Sequence, residues 1–92
     1  MATEVRLSPQ AARAYRQLAK SDRKLFSRVD TALERLRTEP EAGKPLQGPL
    51  AGRRSLRVGP LRIVYRHEAR RILVLVLAIA PRGSAYRDLL TL

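Results

Sequence analysis

The chain has 92 residues, of which 45% are hydrophobic, enough for one modest core and too much for a disordered tail. It has no Cys and one His, His67, which argues against disulfides and against a zinc site. Lys and Arg number 19 against 8 Asp and Glu, a formal net charge of +11, so a phosphate backbone or an acidic protein is the expected kind of partner. Lys20, Lys24 and Lys44 are the only lysines. Arg therefore dominates, and its planar fork suits phosphate and stacks on bases. The opening Met1–Arg6 lacks the apolar stretch of a secretion signal, and the run from Ile72 to Pro81 is too short to span a bilayer. A soluble cytoplasmic protein without membrane attachment is expected.

Val5 and Leu7 flank Arg6 in the alternation of a short first strand. Ser8-Pro9 then reads as an N-cap followed by the first helical residue. Ala11, Tyr15 and Leu18 continue at helical spacing, and Ser21-Asp22 interrupts the helix and caps a second. In that second helix Leu25, Val29, Ala32, Leu33 and Leu36 form one apolar stripe, with Pro40 as the expected stop. The two helices should make an antiparallel hairpin. From Pro40 to Gly52 the density of Pro and Gly predicts a loop.

Beyond Gly52 the period changes to two. Leu56 and Val58 point one way, and Arg53, Ser55 and Arg57 the other. Gly59-Pro60 makes a turn, and Leu61 to Arg66 returns with Leu61, Ile63 and Tyr65 alternating against Arg62, Val64 and Arg66. After a turn at Glu68–Arg70, Arg71 to Ala80 is nearly continuously apolar, as for a strand covered on both faces. Pro81 and Gly83 break it, and Ala85 to Leu90 is left for a short helix. The predicted order is β-α-α-β-β-β with a small C-terminal helix. That is an α+β fold in which the helical hairpin packs on a small, twisted, mainly antiparallel sheet, and residues 1–92 are read as one domain.

The alternation gathers Arg53, Ser55 and Arg57 on one sheet face, with Arg62 across the hairpin, and Arg82 and Tyr86 following the last strand. Arginines can clamp a scissile phosphate and stabilise charge developing on it, and a phenol can stack on a base or move a proton. The same pattern also fits the solvated face of a half-covered sheet. Glu68 and Asp88 stand singly, and the carboxylates are scattered rather than clustered as a metal-dependent nuclease would need. Neither a metal nor another cofactor is expected.

The stretch Lys44-Pro45-Leu46-Gln47-Gly48-Pro49-Leu50-Ala51-Gly52-Arg53-Arg54-Ser55-Leu56-Arg57-Val58-Gly59-Pro60-Leu61-Arg62-Ile63-Val64-Tyr65, followed by an apolar strand and Arg82-Gly83-Ser84-Ala85-Tyr86-Arg87, resembles the RelE/ParE toxin superfamily. The resemblance covers nearly the full chain. It implies the toxin of a type II toxin–antitoxin system. RelE-like members cut translated mRNA on the ribosome without a metal, by attack of the ribose 2′-hydroxyl on its own phosphate. A cognate RelB-like antitoxin wraps the toxin, so a hetero-oligomer is implied. By the same resemblance, Arg62 matches a phosphate-binding arginine. Arg82 matches one that stabilises charge or protonates the leaving oxygen, and Tyr86 matches a tyrosine that stacks on or orients the substrate. Lys44, Arg53 and Arg57 are further candidates for holding RNA phosphate.

Three positions depart from the pattern: Ser55 stands where active members carry a Lys considered as general base, Gln47 where some carry Arg, and Leu61 where Tyr is frequent. Two alternatives therefore remain beside the nuclease. One is a ParE-like toxin that inhibits DNA gyrase without cutting RNA, and the other is a homologue that has lost its chemistry.

Overall fold

The computed structural model describes residues 2–90, with side chains described through residue 87. Five strands and three α-helices follow one another as β1 (Glu4–Leu7), α1 (Pro9–Ser21), α2 (Arg23–Leu36), β2 (Lys44–Pro45), β3 (Arg54–Val58), β4 (Leu61–Glu68), β5 (Leu73–Pro81) and α3 (Arg82–Leu90). The sheet order is β1-β5-β4-β3-β2. β1 runs parallel to β5, and every other pairing is antiparallel.

The helix boundaries come from local chemistry. Ser8 caps α1 by accepting from the Ala11 N–H at 3.1 Å, with Pro9 as the first helical residue. The same hydroxyl donates to the Leu77 carbonyl at 3.0 Å, tying the helix start to β5. Asp22 closes α1 through its N–H and opens α2 by accepting from the Leu25 N–H at 3.1 Å. One residue therefore makes the tight reversal of the hairpin. Tyr15 and Phe26 pack across it at 4.7 Å between ring centroids. The Tyr15 hydroxyl donates to Asp30 at 2.6 Å, and that bond, with lesser help from burial, pushes its pKa up to about 12. α2 ends at Leu36, short of the expected Pro40, and turns occupy the interval.

The two sheet faces differ. On one, Val29, Leu33 and Leu36 of α2 and Ala11 of α1 bury Val58, Ile63, Tyr65, Val74, Val76 and Ile79. On the other, α3 lays Ala85 over Val64 and Ala78. The register of β4 against β5 slips by one residue between Val64 and Tyr65, because Val64 faces Ala78 while Tyr65 faces Val76. Leu77 is the unpaired residue of that bulge, and it is the one whose carbonyl Ser8 satisfies. The bulge also explains why Val76 and Ile79, three apart, share the helix-covered face.

Where the sequence predicts loop from Pro40 to Gly52, the structure places the two residues of β2, beside β3, and a 3-10 turn at Gly48–Leu50. The turn before β5 is likewise a 3-10 turn, Ala69–Arg71, which ends on Ile72 in the left-handed region at φ 52°. A β-branched side chain is strained there. The carbonyl thus presented accepts from the Glu4 N–H at 3.0 Å and starts the parallel β1–β5 ladder. Ile72 is 45% exposed, so burial of its side chain offsets little of the strain. Ile72→Gly should raise stability by about 0.5–1 kcal/mol. The expected reading is a higher urea midpoint at unchanged slope, and a lower midpoint would show that the side chain matters more than the backbone.

Candidate functional site

The face carrying α3 holds an open cleft of about 450 Å³, lined by Lys44, Pro45, Leu46, Gln47, Ser55, Arg62, Arg82 and Tyr86. Register builds it. Lys44 is the direct cross-strand partner of Ser55, Ser55 of Val64, and Val64 of Ala78, so one row crosses β2, β3, β4 and β5. Directly opposed residues point to the same face. Arg62 stands two residues from Val64 on β4 and therefore projects from that face as well. Arg82 is the first residue of α3, immediately after β5, and Tyr86 comes one turn later. The Tyr86 hydroxyl donates to Ser55 Oγ at 3.2 Å, which joins α3 to the floor of the cleft. Ser55 itself is 7% exposed.

Among the described residues, nothing compensates the charge of the cleft: no carboxylate lines it and none pairs with Lys44, Arg62 or Arg82. Six of the described acids are engaged elsewhere: Glu4, Glu34, Glu39 and Glu68 pair with other arginines, Asp22 caps α2, and Asp30 accepts the hydrogen bond of the Tyr15 hydroxyl. The side chain of Asp88 lies outside the described residues. No three His, Cys, Asp or Glu side chains cluster among those described.

Of the six candidates from sequence, Lys44, Arg62, Arg82 and Tyr86 meet in the cleft, whereas Arg53 and Arg57 do not line it. Arg57 is directly opposite Arg62, and like charges so placed repel. Its guanidinium turns away to donate to the Gly59 carbonyl at 3.3 Å, beside Arg28 and Arg35 of α2. Arg53 precedes β3 and shapes the loop through its backbone, accepting from Leu46 at 2.9 Å and donating to Leu50 at 3.2 Å. Its Nε is buried without a hydrogen bond.

Sequence reasoning missed the residues that hold the cleft in place. Tyr65 is fully buried, and its hydroxyl donates to the Pro40 carbonyl and accepts from the Gly43 N–H, both at 2.8 Å. Burial pushes its pKa up, partly offset by the Gly43 bond. Arg54 adds bonds to the carbonyls of Gly43 at 2.8 Å and Glu41 at 3.3 Å. Together they fix the segment leading into Lys44. Gly43 is needed for this approach, because a Cβ there would lie 2.7 Å from the Tyr65 hydroxyl oxygen. A glycine next to the first cleft residue was the available signal.

With this geometry in view, the sequence comparison is decisive: the family described as ParE toxin of the type II toxin–antitoxin system parDE matches residues 5–86. The chain belongs to this toxin family, within the RelE/ParE superfamily. The toxin is similar to a chain of the RelBE2 toxin–antitoxin complex from Mycobacterium tuberculosis. The two share 30% identity at a TM-score of 0.78 over 89% of this chain and 100% of that one. A YoeB/ParE toxin from Agrobacterium tumefaciens shares the fold at 20% identity and a TM-score of 0.77, over 85% of this chain and 96% of that one. So does a free, arginine-substituted RelE toxin of E. coli, at 21% identity and a TM-score of 0.73, over 96% and 94%. No curated protein sequence matches the chain.

Tyr65→Phe removes both hydroxyl bonds and leaves a buried N–H and carbonyl unpaired, so it should cost about 1–3 kcal/mol. Amide exchange at Gly43 should accelerate more than at Val74 in the core. Equal acceleration at both would show that the hydroxyl contributes only to global stability.

Proposed function

We propose that this toxin is an endoribonuclease that cleaves translated mRNA on the ribosome, in the cytoplasm, by attack of a ribose 2′-hydroxyl on the adjacent phosphate. The observation that carries the reading is the convergence of Lys44, Arg62 and Arg82 with the Tyr86 phenol in one cleft where no described carboxylate neutralises them. Such a cleft favours a polyanion, and its guanidinium groups are suited to the extra negative charge of a pentacoordinate phosphorus. Tyr86, anchored on Ser55, offers a ring on which an unstacked base can lie. In this reading the chain's own residues hold the phosphate and stabilise its charge, and no metal is called for.

A protein antitoxin is the natural counterpart. The RelBE2 neighbour, and the YoeB–YefM neighbour from Staphylococcus aureus, are toxin–antitoxin complexes. A chain of charge +11 favours an acidic partner.

A second reading, gyrase inhibition without RNA cleavage, draws support from the ParE description of the matching family and from the hydroxyl of Ser55 where the nuclease pattern has Lys. The test is inducible expression without antitoxin, with cellular mRNA mapped for new 5′ ends. The nuclease reading expects cuts within translated frames, reduced about 10²–10³-fold by Arg62→Ala or by Arg82→Ala. Growth arrest with intact mRNA and altered DNA supercoiling would instead select gyrase inhibition.

A further inference from the structure

Cleavage by a 2′-hydroxyl needs a proton delivered to the departing 5′-oxygen, and few groups in the cleft can deliver one. A guanidinium is a poor proton donor, which leaves Arg62 and Arg82 to bind and stabilise charge. The Tyr86 proton is directed at Ser55 Oγ, 3.2 Å away. Ser55 is buried and its hydroxyl is a weak acid, and the N–H of a carboxamide such as that of Gln47 is likewise a very weak acid. Lys44 remains.

Its position suits the task. Lys44 lies directly across the β2–β3 ladder from Ser55, on the face where Tyr86 meets Ser55. It is exposed, and among the described residues it makes no ion pair. The backbone on either side is fixed: Gly43 by Tyr65 and Arg54, and Leu46 by its bond to the Arg53 carbonyl. Only the flexible side-chain arm has to move. The ammonium is the ordinary state of a lysine near neutral pH, so acting as an acid requires no environment that strips its proton.

We propose that Lys44 is the general acid of the cleavage step, an inference that rests on the nuclease reading above. The 2′-oxygen forms a bond to phosphorus and gives its proton to water. The bond from phosphorus to the 5′-oxygen breaks, and that oxygen takes a proton from Lys44 Nζ. The products are a 2′,3′-cyclic phosphate and a 5′-hydroxyl. The neutral amine then recovers a proton from water, and Arg62 and Arg82 carry the charge on the non-bridging oxygens throughout.

A sulfur substitution isolates this role, because a thiolate leaves without being protonated. Ribosome-bound mRNA is prepared with either oxygen or sulfur as the 5′ bridging atom at the mapped cut, and single-turnover rates are compared. Lys44→Ala should slow cleavage of the oxygen linkage about 10²–10⁴-fold more than it slows cleavage of the sulfur linkage. Lys44→Arg keeps the charge but not the transferable proton, so it should be as slow as Lys44→Ala on oxygen. An equal loss on both linkages, or a fully active Lys44→Arg, would overturn the assignment in favour of a purely electrostatic lysine. If the unsubstituted toxin cut neither linkage, the nuclease reading would fall first and take this inference with it.

Discussion

Tyr65 places its ring in the apolar layer under α1 and α2 and its hydroxyl against the backbone of Pro40 and Gly43. That one side chain connects the two halves of the molecule. The core on the helix-covered face fixes the ring. The hydroxyl then fixes the chain just before Lys44, which lies on the opposite face. A two-residue strand such as β2 has little stability of its own. It keeps its register against β3 because both ends are held, Gly43 by Tyr65 and Arg54, and Leu46 by the Arg53 carbonyl. A cleft edged by a short, Pro-containing strand thus acquires a defined geometry from the core beneath.

Charge is arranged with the same dependence on position. With 19 basic residues and 8 acidic ones, most cations have no partner to find. Of the described acids, Asp22 caps a helix, Glu34 and Glu39 pair on and just beyond α2, and Glu68 pairs at the β4–β5 turn, none of them lining the cleft. Gathering Lys44, Arg62 and Arg82 costs repulsion in the free toxin, and Arg57 shows the limit, turning aside from Arg62. The repulsion is relieved when an anion arrives. A substrate phosphate and an acidic segment of an antitoxin would relieve it equally well, so one feature serves both the proposed chemistry and its control.

Much of this was legible in the residues. Ser8-Pro9 and Ser21-Asp22 mark the helix starts because capping is local chemistry, and the change to period two after Gly52 marks the meander. Arg62, Arg82 and Tyr86 were readable as one group because the hairpin and the strand-to-helix junction place them by short-range geometry. The remainder depended on contacts distant in sequence. β2 exists only by pairing with β3, and its Pro and Gly neighbours read as loop. The bulge at Leu77 lies in an unbroken apolar run, where a change of phase leaves no mark. Alternation put Arg57 on the right face, but its direct opposition to Arg62 needed the register. The hydroxyl of Tyr65 looked like one more apolar ring on a strand until the loop it holds came into view.

The central claim is that the unpaired cations of the cleft are a binding site for RNA phosphate. The most direct test is the salt dependence of binding to a short single-stranded RNA, compared between the toxin and a Lys44→Ala/Arg62→Ala/Arg82→Ala variant of equal thermal stability. If all three cations meet phosphate, the slope of log affinity against log salt concentration should become shallower by about 2 in the variant. An unchanged slope would mean that RNA is held elsewhere on this basic surface, and the cleft would lose its assigned role.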